Sequence, residues 1–177
     1  LAALERSLWQ PEIARLRLSS VQSQPERLGP LVEAYLEHPS DEVRRTALAY
    51  LSGMPTLLHA ELGYAVLENP YADVRQRFVA LLPRMPREVS AELAPEFLFD
   101  PSAEVRADAL PYVVNRRLEG FERMLQGGLS DPAEGVNRAA LRSVRDLLPA
   151  QREAILKPWL SRNPEHPLAA DARALLP

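Results

Sequence analysis

The sequence predicts an all-α fold, a right-handed α-solenoid (superhelix) of about five helix pairs. The first observation is a dipeptide, His, Asn or Asp followed by proline, which recurs every 31 residues with copies that begin at His38, Asn69, Asp100 and Asp131. A period of a few tens of residues is typical of solenoids. The second observation is that apolar residues follow each proline at helical spacing, which indicates one buried helical face in every unit.

Each unit is expected to hold two amphipathic helices. Four apolar columns, separated by four, one and three residues, mark the first helix: Val43, Val74, Val105 and Val136; Ala47, Phe78, Ala109 and Ala140; Leu48, Val79, Leu110 and Leu141; Leu51, Leu82, Val113 and Val144. Two further columns mark the second helix: Leu62, Leu93, Met124 and Ile155; Leu67, Leu98, Leu129 and Leu160. The second helices are expected at about 57–68, 90–99, 120–129 and 152–161.

We predict a single repeat domain that covers residues 1–177. Four full repeats occupy residues 38–68, 69–99, 100–130 and 131–161. Residues 1–37 form a diverged N-terminal unit, as expected for a terminal repeat that lacks one neighbour. Residues 163–177 form a partial C-terminal repeat that restarts at Asn163-Pro164. This last helix either caps the array or belongs to a longer protein.

The residue before each proline is expected to be the N-cap of a first helix. Asn and Asp side chains accept hydrogen bonds from the free amides at a helix start. Proline would then occupy the first helical position, where its missing N–H costs little. Three prolines fall inside predicted helices and are expected to kink or shorten them: Pro95, Pro111 and Pro158.

The composition limits the classes of function. The net charge of −3 and the isoelectric point of about 5.7 disfavour a nucleic-acid partner, which normally leaves a basic footprint. The absence of cysteine excludes disulfides, a thiolate nucleophile and Cys-based metal sites within this chain. No metal or other cofactor is expected, because the three histidines, at His38, His59 and His166, lack metal-ligand spacing.

The sequence also bears on location. No run approaches the roughly 20 apolar residues that span a bilayer, and the N-terminus lacks a signal-peptide pattern. We therefore expect a cytoplasmic protein with no membrane association. The chain begins with Leu1 instead of Met, which leaves a targeting signal upstream open.

The motif of Asp-Pro, then Val-Arg, then Ala on the same helical face resembles the HEAT-repeat family, in its short, 31-residue bacterial form of armadillo type. The matching residues are Pro39, Val43, Arg44 and Ala47; Pro70, Val74 and Arg75; Pro101, Val105, Arg106 and Ala109; Pro132, Val136 and Ala140. The resemblance implies a non-catalytic protein-interaction or assembly scaffold. The Arg column ends at Asn137, and the Gly-rich turn of lyase-like repeats is missing, which disfavours a chromophore-lyase role.

The repeated arginines, Arg44, Arg75 and Arg106, have two interpretations. As a functional ladder they would bind an acidic ligand. As a structural ladder each would pair with an acid of a neighbouring first helix, such as Glu42, Asp73 or Glu104. A regular column is what stacking alone requires, so the structural ladder is favoured.

The second helices of such superhelices usually line the concave face, which is the common binding surface. The exposed candidates for partner binding there are Glu61, Tyr64, Glu88, Glu92, Glu96 and Arg123. With the further exposed candidates Glu119, Gln126 and Lys157, the early half of the set is acidic and the later half turns basic. We therefore expect a protein or peptide partner with basic character toward the N-terminal half.

A second-helix column of Val66, Phe97, Gly128 and Trp159 has two interpretations. The favoured one is core packing in which Gly128 leaves room for the rings of Phe97 and Trp159. The other is an aromatic binding pocket.

The alternative function is a nucleic-acid-binding module that resembles the HEAT-like DNA alkylation-repair glycosylases. Its basic edge would be Arg84, Arg87, Arg116 and Arg117, and its lesion-contacting set would be Asp108, Tyr112 and Trp159. These three come from unrelated columns of an acidic chain, which disfavours this reading. Other catalytic signatures are missing, and we expect no enzymatic activity.

Overall fold

A computed structural model describes residues 11–53 and 60–177, and all regular secondary structure in these ranges is helical. The predicted all-α fold is confirmed. The chain divides into two compact units, Leu1–Leu93 and Ala94–Pro177, which are described separately below. The single repeat domain and the right-handed sense of the superhelix stay predictions.

The described part of the first unit contains six α-helices: α1 (Pro11–Ser20), α2 (Pro25–Leu36), α3 (Asp41–Gly53), α4 (Ala60–Leu67), α5 (Ala72–Val79) and α6 (Arg87–Leu93). A 3-10 turn at Leu82–Arg84 precedes α6. The first helices α1, α3 and α5 pack on one another in sequence, and so do the second helices α2, α4 and α6. This layer-on-layer packing is that of a helical repeat.

The second unit begins with a 3-10 turn at Glu96–Phe99. Its α-helices are α7 (Ala103–Asn115), α8 (Phe121–Leu129), α9 (Glu134–Arg145), α10 (Pro149–Arg162) and α11 (Ala169–Ala174). First helix α7 packs on first helix α9, and second helix α8 packs on second helix α10.

The first-helix columns form the core. Every member of the four columns is buried, and the most exposed is Leu141 at 9%. Each buried Val, Leu or Phe side chain of these columns stabilises the fold by about 1.5–3 kcal/mol. The second-helix columns are less regular: Leu93, Leu129 and Ile155 are buried, whereas the other members, Leu62, Leu67, Leu98, Met124 and Leu160, are half-buried.

The predicted N-caps are wrong. Helices α3, α5, α7 and α9 each begin three residues after the His, Asn or Asp of the motif. That side chain instead accepts a hydrogen bond from the backbone N–H two residues on, with distances of 3.0 Å at His38, 3.0 Å at Asn69, 2.8 Å at Asp100 and 2.8 Å at Asp131. Such a bond closes an Asx-type turn, which competes with helix capping for the same residue types. The proline therefore lies in the turn, outside the helix.

The same turn recurs near the C-terminus, but at His166 and not at the predicted Asn163. The Nδ1 atom of His166 accepts a hydrogen bond from the N–H of Leu168 at 3.2 Å, and α11 follows at Ala169. Asn163 instead ends α10, where its amide donates to the carbonyl of Trp159 at 2.9 Å. The spacing also places Leu168, Ala172 and Leu176 in the core columns; Leu168 and Ala172 are buried, and Leu176 is half-buried.

The internal prolines have different effects. The predicted helix over 90–99 is absent as one piece, because α6 ends at Leu93 and only a 3-10 turn follows Pro95. Proline lacks the N–H that would continue the helix. Helices α7 and α10, by contrast, run through Pro111 and Pro158.

Candidate functional site

The arginine column holds the turns. Arg44, Arg75 and Arg106 each donate from Nη1 to the carbonyl of the residue that opens their own repeat, at distances of 2.9 Å, 2.6 Å and 2.7 Å. Asn137 continues the column and donates from Nδ2 to the carbonyl of Asp131 at 2.8 Å. This position therefore ties each first helix to the turn that precedes it.

Two of these arginines also reach the next repeat within their own unit. Arg44 donates from Nη2 to both carboxylate oxygens of Asp73, at 3.2 Å and 3.3 Å. Arg106 donates from Nε and Nη2 to Asp131, at 2.8 Å each. The hydrogen bonds from Arg106 hold the pKa of Asp131 below its ordinary value, and those to Asp131 raise the pKa of Arg106. These guanidinium groups are engaged by the protein itself.

Four of the predicted partner-binding residues, including Glu61, lie in the first unit. Tyr64 on α4 and Glu88 and Glu92 on α6 are exposed. The structure brings two of them together, because the Tyr64 hydroxyl donates to Oε1 of Glu92 at 2.7 Å. The side chain of Glu61 lies outside the described part of the chain. The surface of α4 and α6 thus presents acidic groups, and its role in partner binding stays a prediction.

The other two predicted partner-binding residues lie in the second unit. Glu96 is exposed in the 3-10 turn, and Arg123 is exposed on α8. Arg123 lines a cavity of about 450 Å³, which we call the α8 cavity. Its lining is Leu98, Phe99, Arg106, Leu110, Arg123, Met124, Gly127, Gly128, Ser130, Asp131, Pro132 and Val136. Its volume falls within the roughly 300–1,000 Å³ of ligand pockets.

The α8 cavity is open because of two residues. Phe99 is 83% exposed, although most large aromatic side chains in folded proteins are substantially buried. Gly127 has no side chain, and a Cβ at this position would have no heavy atom of another residue within 4 Å. The two residues leave an apolar surface facing solvent.

The adjacent glycine, Gly128, allows close packing between helices. A Cβ at Gly128 would lie 2.6 Å from Cδ2 of Leu110 and 3.2 Å from Cβ of Ala140. Gly128 therefore lets α7 and α9 approach α8 closely. The three atoms nearest to this position belong to Leu110 and Ala140, and the prediction that Gly128 leaves room for Phe97 and Trp159 stays a prediction.

Two arginines line the α8 cavity, and one of them, Arg106, is paired with a carboxylate of the protein. Arg106 binds Asp131 through two hydrogen bonds, and Asp131 is the one carboxylate among the lining residues. Within the described residues, the Arg123 side chain has no hydrogen-bond or ion-pair partner. The cavity therefore combines an apolar wall with one uncompensated positive charge, which suits binding.

Sequence reasoning did not find this cavity. The repeat pattern predicts Phe99 only as the last residue of a second helix. The residues at the same position of the other repeats are polar: Glu68, Ser130 and Ser161. One apolar residue in an otherwise polar column was the available signal. Its exposure depends on how the 3-10 turn ends, which the pattern does not indicate.

The aromatic column packs as core. Val66, Phe97 and Trp159 are at most 1% exposed. The indole Nε1–H of Trp159 donates to the carbonyl of Leu129 at 3.1 Å, and its ring meets His166 edge-on at 5.0 Å between centroids. These observations favour packing over the aromatic binding pocket.

The residues proposed for DNA repair are not presented together. Asp108 is exposed, whereas Tyr112 and Trp159 are buried. In the basic edge, Arg84 donates to the carbonyl of Ser52, and Arg117 lies over the ring of Phe121. Buried aromatic rings do not stack on nucleic-acid bases.

Residues 11–53 and 60–177 contain neither a metal-binding cluster nor a membrane-spanning helix. Within these ranges, no group of three or more His, Asp or Glu residues could hold a metal ion. His59 lies outside the described residues. No helix of this part is long and apolar enough to cross a membrane.

Comparison with known proteins identifies the type of repeat. No family model matches the chain, and no curated protein matches it. Among solved structures, a designed armadillo repeat protein, YIII(Dq)4CqI, matches 94% of this chain and 88% of its own chain, with a TM-score of 0.51 and 16% sequence identity. The fold is an armadillo-like helical repeat. At this identity the likeness concerns the fold alone, and membership of the HEAT family stays a prediction.

Proposed function

We propose that this armadillo-like chain is a non-catalytic interaction module that binds a peptide segment of a partner protein in the α8 cavity. The observation that carries the proposal is the cavity itself, with Phe99 exposed on its wall. Helical-repeat proteins commonly use extended surfaces to bind other proteins. An apolar cleft of this volume with a few polar groups is typical of a binding site.

The chemistry of the lining supports binding over catalysis. Its titratable side chains are Arg106, Arg123 and Asp131. Acid–base or nucleophilic catalysis needs a group that can exchange a proton or attack near neutral pH. Arginine stays protonated, and the Asp131 carboxylate is occupied by Arg106.

The test is selection of peptides from a displayed random library on three proteins. Gly127→Leu is designed to fill the cavity, because Gly127 lines it and a Cβ at this position meets open space. Gly135→Leu is the matched control, since Gly135 is also an exposed helical glycine with open space but does not line the cavity. We expect peptides that bind the wild type and Gly135→Leu and fail to bind Gly127→Leu.

Two results would contradict the proposal. If the selected peptides bind Gly127→Leu as well as the wild type, the cavity is not the contact. If no peptide is selected and the chain instead retains nucleic acid that salt releases, the alternative of a nucleic-acid-binding module is favoured. Steep salt dependence is the signature of counterion release from phosphates.

The acidic surface of α4 and α6 is proposed as a second contact. The Tyr64–Glu92 hydrogen bond fixes one of its carboxylates, and Glu88 lies on the same short helix as Glu92. A basic partner segment would complement these charges. Glu88→Lys with Glu92→Lys should weaken binding of lysine-rich selected peptides and leave peptides of the α8 cavity unaffected.

A further inference from the structure

We infer that the α8 cavity recognises a bulky apolar side chain whose neighbour in the partner peptide is acidic. This inference rests on the proposed function and names the class of its partner. The cavity would take an aromatic or long aliphatic side chain, and Arg123 would bind the adjacent carboxylate.

The apolar side chains that line the α8 cavity favour an apolar side chain as ligand. Phe99 is 83% exposed, and Leu98 and Met124 are half-buried along the same lining. Covering these side chains with another apolar group removes them from water, which is the main favourable term in most protein association. A polar side chain would lose hydrogen bonds to water here without replacement.

The two arginines of the lining, Arg106 and Arg123, favour an acidic neighbour in the peptide. Arg106 gives Nε and Nη2 to Asp131 and Nη1 to the carbonyls of Asp100 and Pro101, so its charge is compensated. Arg123 has no such partner among the described residues. The lining therefore carries one net positive charge, which complements a carboxylate.

A basic residue beside the apolar side chain of the peptide would find no free carboxylate among the lining residues. The oxygens of Asp131 already accept from Arg106 and from the N–H of Ala133, at 2.8 Å in each case. Glu119 and Glu122, the acids close to Arg123 in the sequence, do not line the cavity. A lysine in the bound peptide would approach Arg123 without a free carboxylate to pair with.

A second group on the rim favours an acidic neighbour. The Ser130 side chain is exposed, lines the cavity and has no hydrogen-bond partner among the described residues. Its hydroxyl can donate to a carboxylate, and hydrogen bonds to charged groups are stronger than neutral ones. Arg123 and Ser130 are thus two side-chain donors of the lining that have no hydrogen-bond partner among the described residues.

The test measures fluorescence anisotropy of short, capped, labelled peptides on the whole chain. The central dipeptide is Phe-Glu, and the matched peptides carry Ala-Glu, Phe-Gln or Phe-Lys in its place. We expect Phe-Glu to bind about tenfold more tightly than Phe-Gln, because a hydrogen bond to a charged group is worth about one decade in an equilibrium constant. Ala-Glu and Phe-Lys should bind more weakly still.

Three variants test whether the cavity and Arg123 bind the Phe-Glu peptide. Gly127→Leu should abolish binding of Phe-Glu, and the control Gly135→Leu should leave it unchanged. Arg123→Glu should exchange the preference, so that Phe-Lys binds more tightly than Phe-Glu. Because Arg123 is exposed and unpaired within the described residues, this variant is expected to fold, and its circular dichroism checks that.

Several outcomes would overturn the inference. Equal affinity for Phe-Glu and Phe-Lys removes the role of Arg123, and undiminished binding to Gly127→Leu removes the cavity. Self-association that Gly127→Leu abolishes would make a second copy of this chain the occupant. If library peptides bind in the cavity but lack an apolar–acidic pair, the interaction function stands and only the partner class is wrong.

Discussion

The residue before each proline directs the backbone of its turn by accepting one N–H bond. At Asn69, Asp100 and Asp131 the acceptor is an oxygen, but at His38 it is Nδ1 of an imidazole. An imidazole nitrogen accepts only while it carries no proton. Burial is the main cause that lowers the pKa of His38, and the charge of Arg44 lowers the pKa further.

His38→Asn should therefore reduce the acid sensitivity of the fold. A folded-state pKa below the unfolded value of 6.5 means that the unfolded chain binds the proton more tightly. The contribution of His38 is present above pH 6.5 and is lost as the pH falls through the folded-state value. Asparagine keeps the acceptor without titrating. Urea unfolding on both sides of pH 6.5 should show a smaller loss in the variant, and an equal loss would show that the turn does not sense protonation.

The two adjacent glycines of α8 should respond oppositely to alanine. Gly127→Ala should stabilise by up to about 1 kcal/mol, because alanine is the better helix former and its Cβ meets open space. Gly128→Ala should destabilise by about 1–3 kcal/mol, because its Cβ would press on Leu110 and Ala140 in a packed core. Thermal unfolding by circular dichroism compares them. A stabilising Gly128→Ala would mean that Leu110 moves aside easily.

At the scale of elements, the turn and the arginine column act together. The turn fixes where each first helix begins, and the column residue binds the turn's carbonyl from one helical turn or more further on. In the second unit Asp131 has both tasks, since it closes its own turn and binds Arg106 of the preceding repeat. One carboxylate thus couples two repeats.

A double-mutant cycle of Arg106→Gln and Asp131→Asn should measure this coupling. The two side chains are each 13% exposed, so solvent screens their pairing little. We expect a coupling energy of about 1–3 kcal/mol, within the range for contacting residues in one hydrogen-bond network. Asparagine retains an oxygen for the N–H of Ala133, which separates the ion pair from the turn. Additive effects of the two substitutions on the free energy of unfolding would show that the pair contributes nothing.

Different parts of this arrangement were accessible from the sequence. The first-helix columns predicted their buried residues, such as Val105 at 0% exposure, because a regular stack repeats the same contact at the same position. The first helices begin two residues later than predicted, because Asn, Asp and proline suit an Asx turn as well as an N-cap. The α8 cavity was not predicted, because the repeat pattern indicates Phe99 only as the last residue of a helix and does not indicate its exposure.

At the scale of the whole molecule, the candidate contacts are distributed over separate compact units. The acidic surface of α4 and α6 lies in Leu1–Leu93, and every residue that lines the α8 cavity lies in Ala94–Pro177. The second unit also has its own core cluster, which includes Leu125, Val144 and Trp159. In helical repeats, stability is close to a sum over repeats and their neighbouring interfaces.

The isolated segment 94–177 is therefore expected to fold cooperatively and to bind peptides of the α8 cavity with the affinity of the whole chain. Its core cluster draws on α7, α8, α9, α10 and α11, so no helix of this unit is left without packing. Circular dichroism during heating tests the folding, and anisotropy with the Phe-Glu peptide tests the site. Gly127→Leu in the same segment is the control for specific binding. A segment that folds but binds more weakly than the whole chain would show that residues 1–93 contribute to the same contact, and one that does not fold would show that the cavity depends on them.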